Sequence, residues 1–137
     1  MANVDDFLGK KYVLSTSENF DAYLKAMGVN ALLRRLATTL SPVIELTKSG
    51  DEYTYKSTTT FSKTVASFKL GVEFEKSVPG GDIMKSVMTI DGCTLTEVQI
   101  DGAGRVTTIE RRFSTDEIKA VIKYNDITAI NIYKAKS

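Results

Sequence analysis

The eight residues Val106-Thr107-Thr108-Ile109-Glu110-Arg111-Arg112-Phe113 decide the fold class. Thr107, Ile109, Arg111 and Phe113 share one side, and Val106, Thr108, Glu110 and Arg112 share the other. A period of two marks a β-strand, because successive side chains of a strand point to opposite faces. The next segment repeats the pattern: Ile118, Ala120, Ile122 and Tyr124 alternate with Lys119, Val121 and Lys123. Upstream, Phe68, Leu70, Val72 and Phe74 alternate with Lys69, Gly71 and Glu73, which reads as one continuous strand. Turn chemistry separates such segments at Ser49-Gly50-Asp51, Pro79-Gly80-Gly81, Asp91-Gly92, Asp101-Gly102-Ala103-Gly104 and Tyr124-Asn125-Asp126. The spacing suits short antiparallel strands in a meander, and so many strands must close or stack to hide their apolar face and edges.

Only one region departs from this pattern. In Glu18–Met27 the apolar residues Phe20, Tyr23, Leu24 and Met27 recur at helical spacing, and Gly28 follows where a helix stop belongs. Asn30 offers an N-cap for Ala31–Leu40, whose Leu32, Leu33, Leu36 and Leu40 fall along one side. Ser41-Pro42 ends it, since the residue before proline is driven out of the α region. The two helices form a tight hairpin over residues 19–40.

Length and composition set the bounds. The 137 residues suit one domain, 1–137, with 18 basic against 17 acidic side chains and a net charge of +1. That balance does not fit a uniformly basic nucleic-acid binder, and no nucleic-acid partner is expected. Histidine is absent, which excludes a His-based triad, general base or His-ligated metal site. No activated nucleophile or metal-ligand cluster stands out, so an enzyme is not expected. The lone Cys93 has no internal partner and reads as an inert thiol. The acidic opening Met-Ala-Asn-Val-Asp-Asp lacks the basic region of a secretory signal, and no apolar run is long enough to span a bilayer. A cytosolic chain is the expectation.

Polar side chains on apolar faces mark the candidate site. Alternation carries Arg111 inward beside Ile109 and Phe113. A buried guanidinium keeps its proton and is costly unless paired. Two readings stand: an anion receptor that awaits a ligand carboxylate, or a bulged strand that returns Arg111 to a surface ion pair. In the last strand Ile127, Ala129, Asn131, Tyr133 and Ala135 share a face, bringing the Tyr133 phenol inward. Gln99, with Glu97 on the same side, is a further candidate. Lys25, Arg34 and Arg35 read either as a solvated helix face or as a contact for an acidic surface.

Beyond these patterns the sequence resembles the intracellular lipid-binding proteins, the fatty-acid-binding family that includes cellular retinoid carriers. The resemblance rests on Gly9-Lys10-Lys11-Tyr12 through Phe20-Asp21-Ala22-Tyr23-Leu24, on Lys25-Ala26-Met27-Gly28-Val29, and on Arg34-Arg35 and Ser41-Pro42. It continues through Thr60-Phe61, Ser67-Phe68-Lys69-Leu70-Gly71-Val72-Glu73-Phe74-Glu75, Met84-Lys85-Ser86, Thr107-Thr108-Ile109-Glu110-Arg111 and Ile132-Tyr133-Lys134-Ala135. It implies an all-β, ten-stranded antiparallel up-and-down barrel of calycin type, closed by a helix-turn-helix lid. The implied activity is non-covalent carriage of long-chain fatty acids by a monomer without cofactor or metal, with retinoid or another bulky hydrophobic carboxylate as the alternative ligand.

By the same resemblance, Arg111 falls at the family's inner carboxylate site and Tyr133 at the tyrosine of its Arg-x-Tyr motif. Asn131 stands where that motif has arginine, so Arg111 is expected to hold the head group largely alone. Phe20, Tyr23 and Leu24 are expected to line the cavity, Val29 and Pro42 to lie near its entrance, and Phe61 to match the gate phenylalanine. Lid cations are expected to touch anionic membranes during transfer.

Overall fold

The computed structural model describes residues 2–77 and 83–136. Its strands are β1 (Lys11–Glu18), β2 (Val43–Ser49), β3 (Glu52–Thr58), β4 (Lys63–Lys69), β5 (Phe74–Ser77), β6 (Ile83–Asp91), β7 (Thr94–Ile100), β8 (Val106–Phe113), β9 (Glu117–Tyr124) and β10 (Ile127–Ala135). Helices α1 (Phe20–Ala26) and α2 (Ala31–Thr39) separate β1 from β2. All ten strands form one antiparallel sheet in the order β4-β3-β2-β1-β10-β9-β8-β7-β6-β5. Pairing of β1 with β10 curls the sheet into a nearly closed barrel, the architecture the resemblance implies. Its two ends, β4 and β5, are not hydrogen-bonded neighbours among the described residues. Phe68 of β4 and Phe74 of β5 stack across this seam with ring centroids 5.5 Å apart.

Alternation sets the inner face. Thr107, Ile109, Arg111 and Phe113 of β8, and Ile118, Ala120 and Ile122 of β9, are all buried. No bulge interrupts β8, so the surface ion-pair reading of Arg111 fails. The bulge lies instead in β1, where the register against β10 shifts between Leu14 and Thr16.

One expected strand is two. β4 ends at Lys69, and Gly71 sits at a φ of 75°, a left-handed conformation that glycine reaches without steric cost. Its N–H donates to the Met88 carbonyl oxygen at 2.8 Å, which fixes the corner, and Leu70 and Val72 are left exposed. Thr59–Ser62 makes a further turn that lacks Gly or Pro; Thr59 Oγ1 accepts from the Ser62 N–H at 3.0 Å. The expected turn Pro79-Gly80-Gly81 lies outside the described residues.

The helices follow their caps. Asn30 Oδ1 accepts the Leu33 N–H at 3.0 Å, and α2 starts at the expected residue. Gly28, at a φ of 83°, separates the two helices; a Cβ there would meet an Arg105 guanidinium nitrogen at 3.0 Å. The expected apolar side of α2 packs only in part: Leu33 and Leu40 are half-buried, whereas Leu32 is 70% and Leu36 44% exposed, and α2 has no buried residue.

Two apolar clusters fill the interior. The first joins Val4, Tyr12, Ile44, Leu46, Tyr53, Phe68, Met88, Leu95, Phe113 and Ile118. A short 3-10 turn, Val4–Phe7, seals it; the Val4 N–H donates to the Gly92 carbonyl at 3.0 Å and Tyr53 donates to Asp5 Oδ1 at 2.6 Å. The second joins Tyr23 and Met27 to Ile109, Ala120, Ile122 and Ala129 beneath the helices. Arg111 lies on β8 between Ile109 of the second cluster and Phe113 of the first.

Candidate functional site

Between the helices and the second cluster lies a cavity of about 320 Å³, at the small end of the range for ligand pockets. Phe20, Tyr23 and Leu24 of α1 and Val29 of the helix link form one side, with Ile109, Ala120 and Ile122 of the barrel opposite. Gln99, Arg111, Asn131 and Tyr133 also reach its wall. Register explains part of this convergence. Arg111 is opposite Ala120, Ala120 is opposite Asn131, and Asn131 is opposite Ser17, so one inner row crosses four strands.

Arg111 is paired within the protein. Its Nη1 lies 2.9 Å from Glu97 Oε1, and Glu97 is fully buried. In the β7–β8 ladder Glu97 is the diagonal neighbour of Arg111, a separation long side chains can bridge. The contact is close but poorly directed: Arg111 Nη1 and Glu97 Oε1 both lack an aligned hydrogen-bond partner among the described residues. The Arg111 guanidinium also sits over the Tyr55 ring, 4.7 Å from its centroid. The other Glu97 oxygen, Oε2, accepts from Lys76 Nζ at 2.5 Å and from Ser86 Oγ at 2.8 Å.

Burial alone would raise the Glu97 carboxyl, but Arg111, Lys76 and the two hydrogen bonds outweigh it and hold the carboxyl at about 2. Burial draws Lys76 down, with Glu97 opposing. Burial also works against the charge on Arg111, but Tyr55 and Glu97 outweigh it and hold the proton more firmly than usual. The Tyr133 phenol is pushed well above its ordinary range by burial.

Gln99 and Asn131 are engaged by neighbouring side chains. Tyr23 OH and Thr107 Oγ1 are 2.9 Å apart, and Gln99 Nε2 donates to Tyr23 OH at 3.4 Å. Gln99 thus links β7 to α1 while lining the cavity. Ser17 Oγ donates to Asn131 Oδ1 at 2.5 Å, giving the buried amide a partner. Of the expected portal residues, Val29 lines the cavity, whereas Pro42 and Phe61 do not. Phe61 is 79% exposed in the turn Thr59–Ser62.

The structure adds Lys76 and Tyr55, which sequence reading passes over. Lys76 lies two positions after Phe74 in β5, so alternation puts both on one side, and that parity was a usable signal. Arg111 is therefore not an isolated cation: Glu97 engages it, and Lys76 joins it at the cavity wall.

The family profile described as "Lipocalin / cytosolic fatty-acid binding protein family" matches residues 9–136. The chain belongs to this family. The muscle fatty acid-binding protein of Schistocerca gregaria is 40% identical over 134 residues, 97% of this chain and 99% of that protein. Among solved structures, a fatty acid-binding protein from brain tissue of Drosophila melanogaster shares 42% identity at a TM-score of 0.88, covering 94% of this chain and 99% of that one. The Schistosoma mansoni fatty acid binding protein, solved in complex with arachidonic acid, matches at 34% identity and a TM-score of 0.92 over 99% of this chain and 100% of that one. The architecture, with its lid and interior cavity, is thus the architecture of this family.

Proposed function

We propose that this protein is a non-covalent, monomeric carrier of long-chain fatty acids, with the acyl chain in the barrel cavity and the carboxylate at Arg111. One observation carries the reading: an apolar cavity of about 320 Å³ has a buried guanidinium in its wall. The Schistosoma mansoni relative's complex with arachidonic acid supports the ligand class. The size of the cavity favours one ligand per chain.

The energetics suit sequestration. Each methylene removed from water contributes about 0.8 kcal/mol, partly offset by ordering of the chain. A charge-assisted bond from Arg111 adds roughly 1.5–3 kcal/mol and selects a carboxylate over an alcohol. Holding a ligand requires no covalent step. Exchange requires an opening, and α2 is the element least secured by burial. Its exposed Leu32, Leu36 and Arg35, with Lys25 of α1, suit transient contact with an anionic membrane surface. Arg34 is less available, since its Nε pairs with Asp21 Oδ1 at 3.1 Å.

Titration of delipidated protein with a fluorescent fatty acid tests the proposal. Saturation at about one per chain with displacement by oleate is the expected result, and a flat titration sinks it. Retinoic acid as the displacer tests the alternative ligand. Arg111→Ala is expected to weaken oleate by about tenfold or more. An affinity unchanged within twofold removes Arg111 from the head-group site.

A further inference from the structure

Lys76 and Arg111 are the only charged side chains in the cavity wall among the described residues. They bind the two oxygens of one carboxylate: Arg111 Nη1 lies 2.9 Å from Glu97 Oε1, and Lys76 Nζ lies 2.5 Å from Glu97 Oε2. Glu97 sits behind them, fully buried and absent from the wall. Two cations and one anion leave one positive charge that no described residue of the wall cancels. Either cation alone is balanced by Glu97. A buried ion pair of net zero charge has little to gain from a third, anionic partner, whereas a buried surplus charge is costly until an anion meets it.

We propose that Lys76 is a second head-group cation, and that the surplus charge of Lys76, Glu97 and Arg111, rather than Arg111 by itself, selects a carboxylate ligand. This rests on the carrier reading above and deepens it. Arg111 lines the cavity, and its contact with Glu97 leaves Nη1 without an aligned hydrogen-bond partner among the described residues. Lys76 enters from β5, the edge strand at the seam, so the two cations approach the cavity from different strands. The competing reading is structural: Lys76 ties the edge strand β5 to Glu97 of β7 and has no part in ligand choice.

The preference for oleate over oleyl alcohol separates the two, because these ligands share a chain and differ in charge. Both are measured by displacement of a fluorescent probe from the full, delipidated chain. Lys76→Met is expected to weaken oleate about tenfold and oleyl alcohol less than twofold. Glu97→Gln, which raises the surplus, is expected to strengthen the preference for oleate. The double variant Lys76→Met/Glu97→Gln leaves Arg111 as a single uncompensated cation and is expected to recover the wild-type preference. Equal weakening of both ligands by Lys76→Met, or no weakening of either, overturns the proposal in favour of the structural tie. If Lys76→Met does not fold, an unchanged or lowered preference in Glu97→Gln overturns it instead. Failure of the wild type to bind either ligand rejects the carrier reading itself, a different outcome from intact binding with an unaltered preference.

Discussion

The two apolar clusters of the barrel meet on β8 and β9 yet are packed in opposite ways. One half is solid: Tyr12, Tyr53, Phe68 and Phe113 meet Ile44, Leu46, Met88 and Leu95, and Val4 closes the end. Tyr12 and Phe113 pack edge to face at 6.0 Å, and Tyr53 and Phe68 stack at 5.7 Å. The other half carries Ala120 and Ala129 where large residues would fill the space, with Tyr23 and Met27 from above and Arg111, Gln99 and Asn131 within the wall. Stability and capacity are therefore divided along the strands. Dense packing at one end stabilises the barrel, and small or polar side chains at the other leave room for a guest.

The sharpest way to break this comparison is to truncate the solid end. Leu46→Ala, at a side chain only 1% exposed, is expected to cost about 2–5 kcal/mol in urea denaturation. The folded variant should bind oleate within twofold of the wild type, and a parallel loss of affinity would show that the halves are not separable.

Acid tests the buried charges between them. Glu97 is held at about 2, below its ordinary value, so its contribution to stability is present above about pH 5 and is lost as the pH falls toward 2. The wild-type denaturation midpoint should drop steeply over that window, and Glu97→Gln should flatten the drop. Equal slopes would mean that Glu97 is not the group being titrated. The smallest effect is expected from filling the cavity. Ala120→Leu should change stability by about 1 kcal/mol or less, while it weakens oleate by about tenfold, a difference of 1.4 kcal/mol.

Much of this was legible in the chain. Alternation alone turns Arg111, Glu97, Gln99, Asn131 and Tyr133 inward, because the direction of a side chain along a regular strand is a local property of the backbone. The caps at Asn30 and Gly28 likewise mark the helix ends, since they act within a few residues. Local pattern failed where neighbours intervene. Phe68–Phe74 keeps its period of two through a corner fixed by a hydrogen bond from Gly71 to Met88, a contact no short window of sequence contains. The leucines of α2 obey helical spacing, yet the helix bridges a cavity and leaves two of them in the open.

The sequence by itself determined the strand-rich class, the face most strand residues present and which polar groups must enter the interior. Only the tertiary structure decided which of those groups meet. Arg111, Glu97 and Lys76 come from three strands, β8, β7 and β5, and their encounter depends on register and on the curvature that carries the edge strand round. Parity along a strand follows from the covalent backbone, whereas distance across a barrel exists only once every pairing is made.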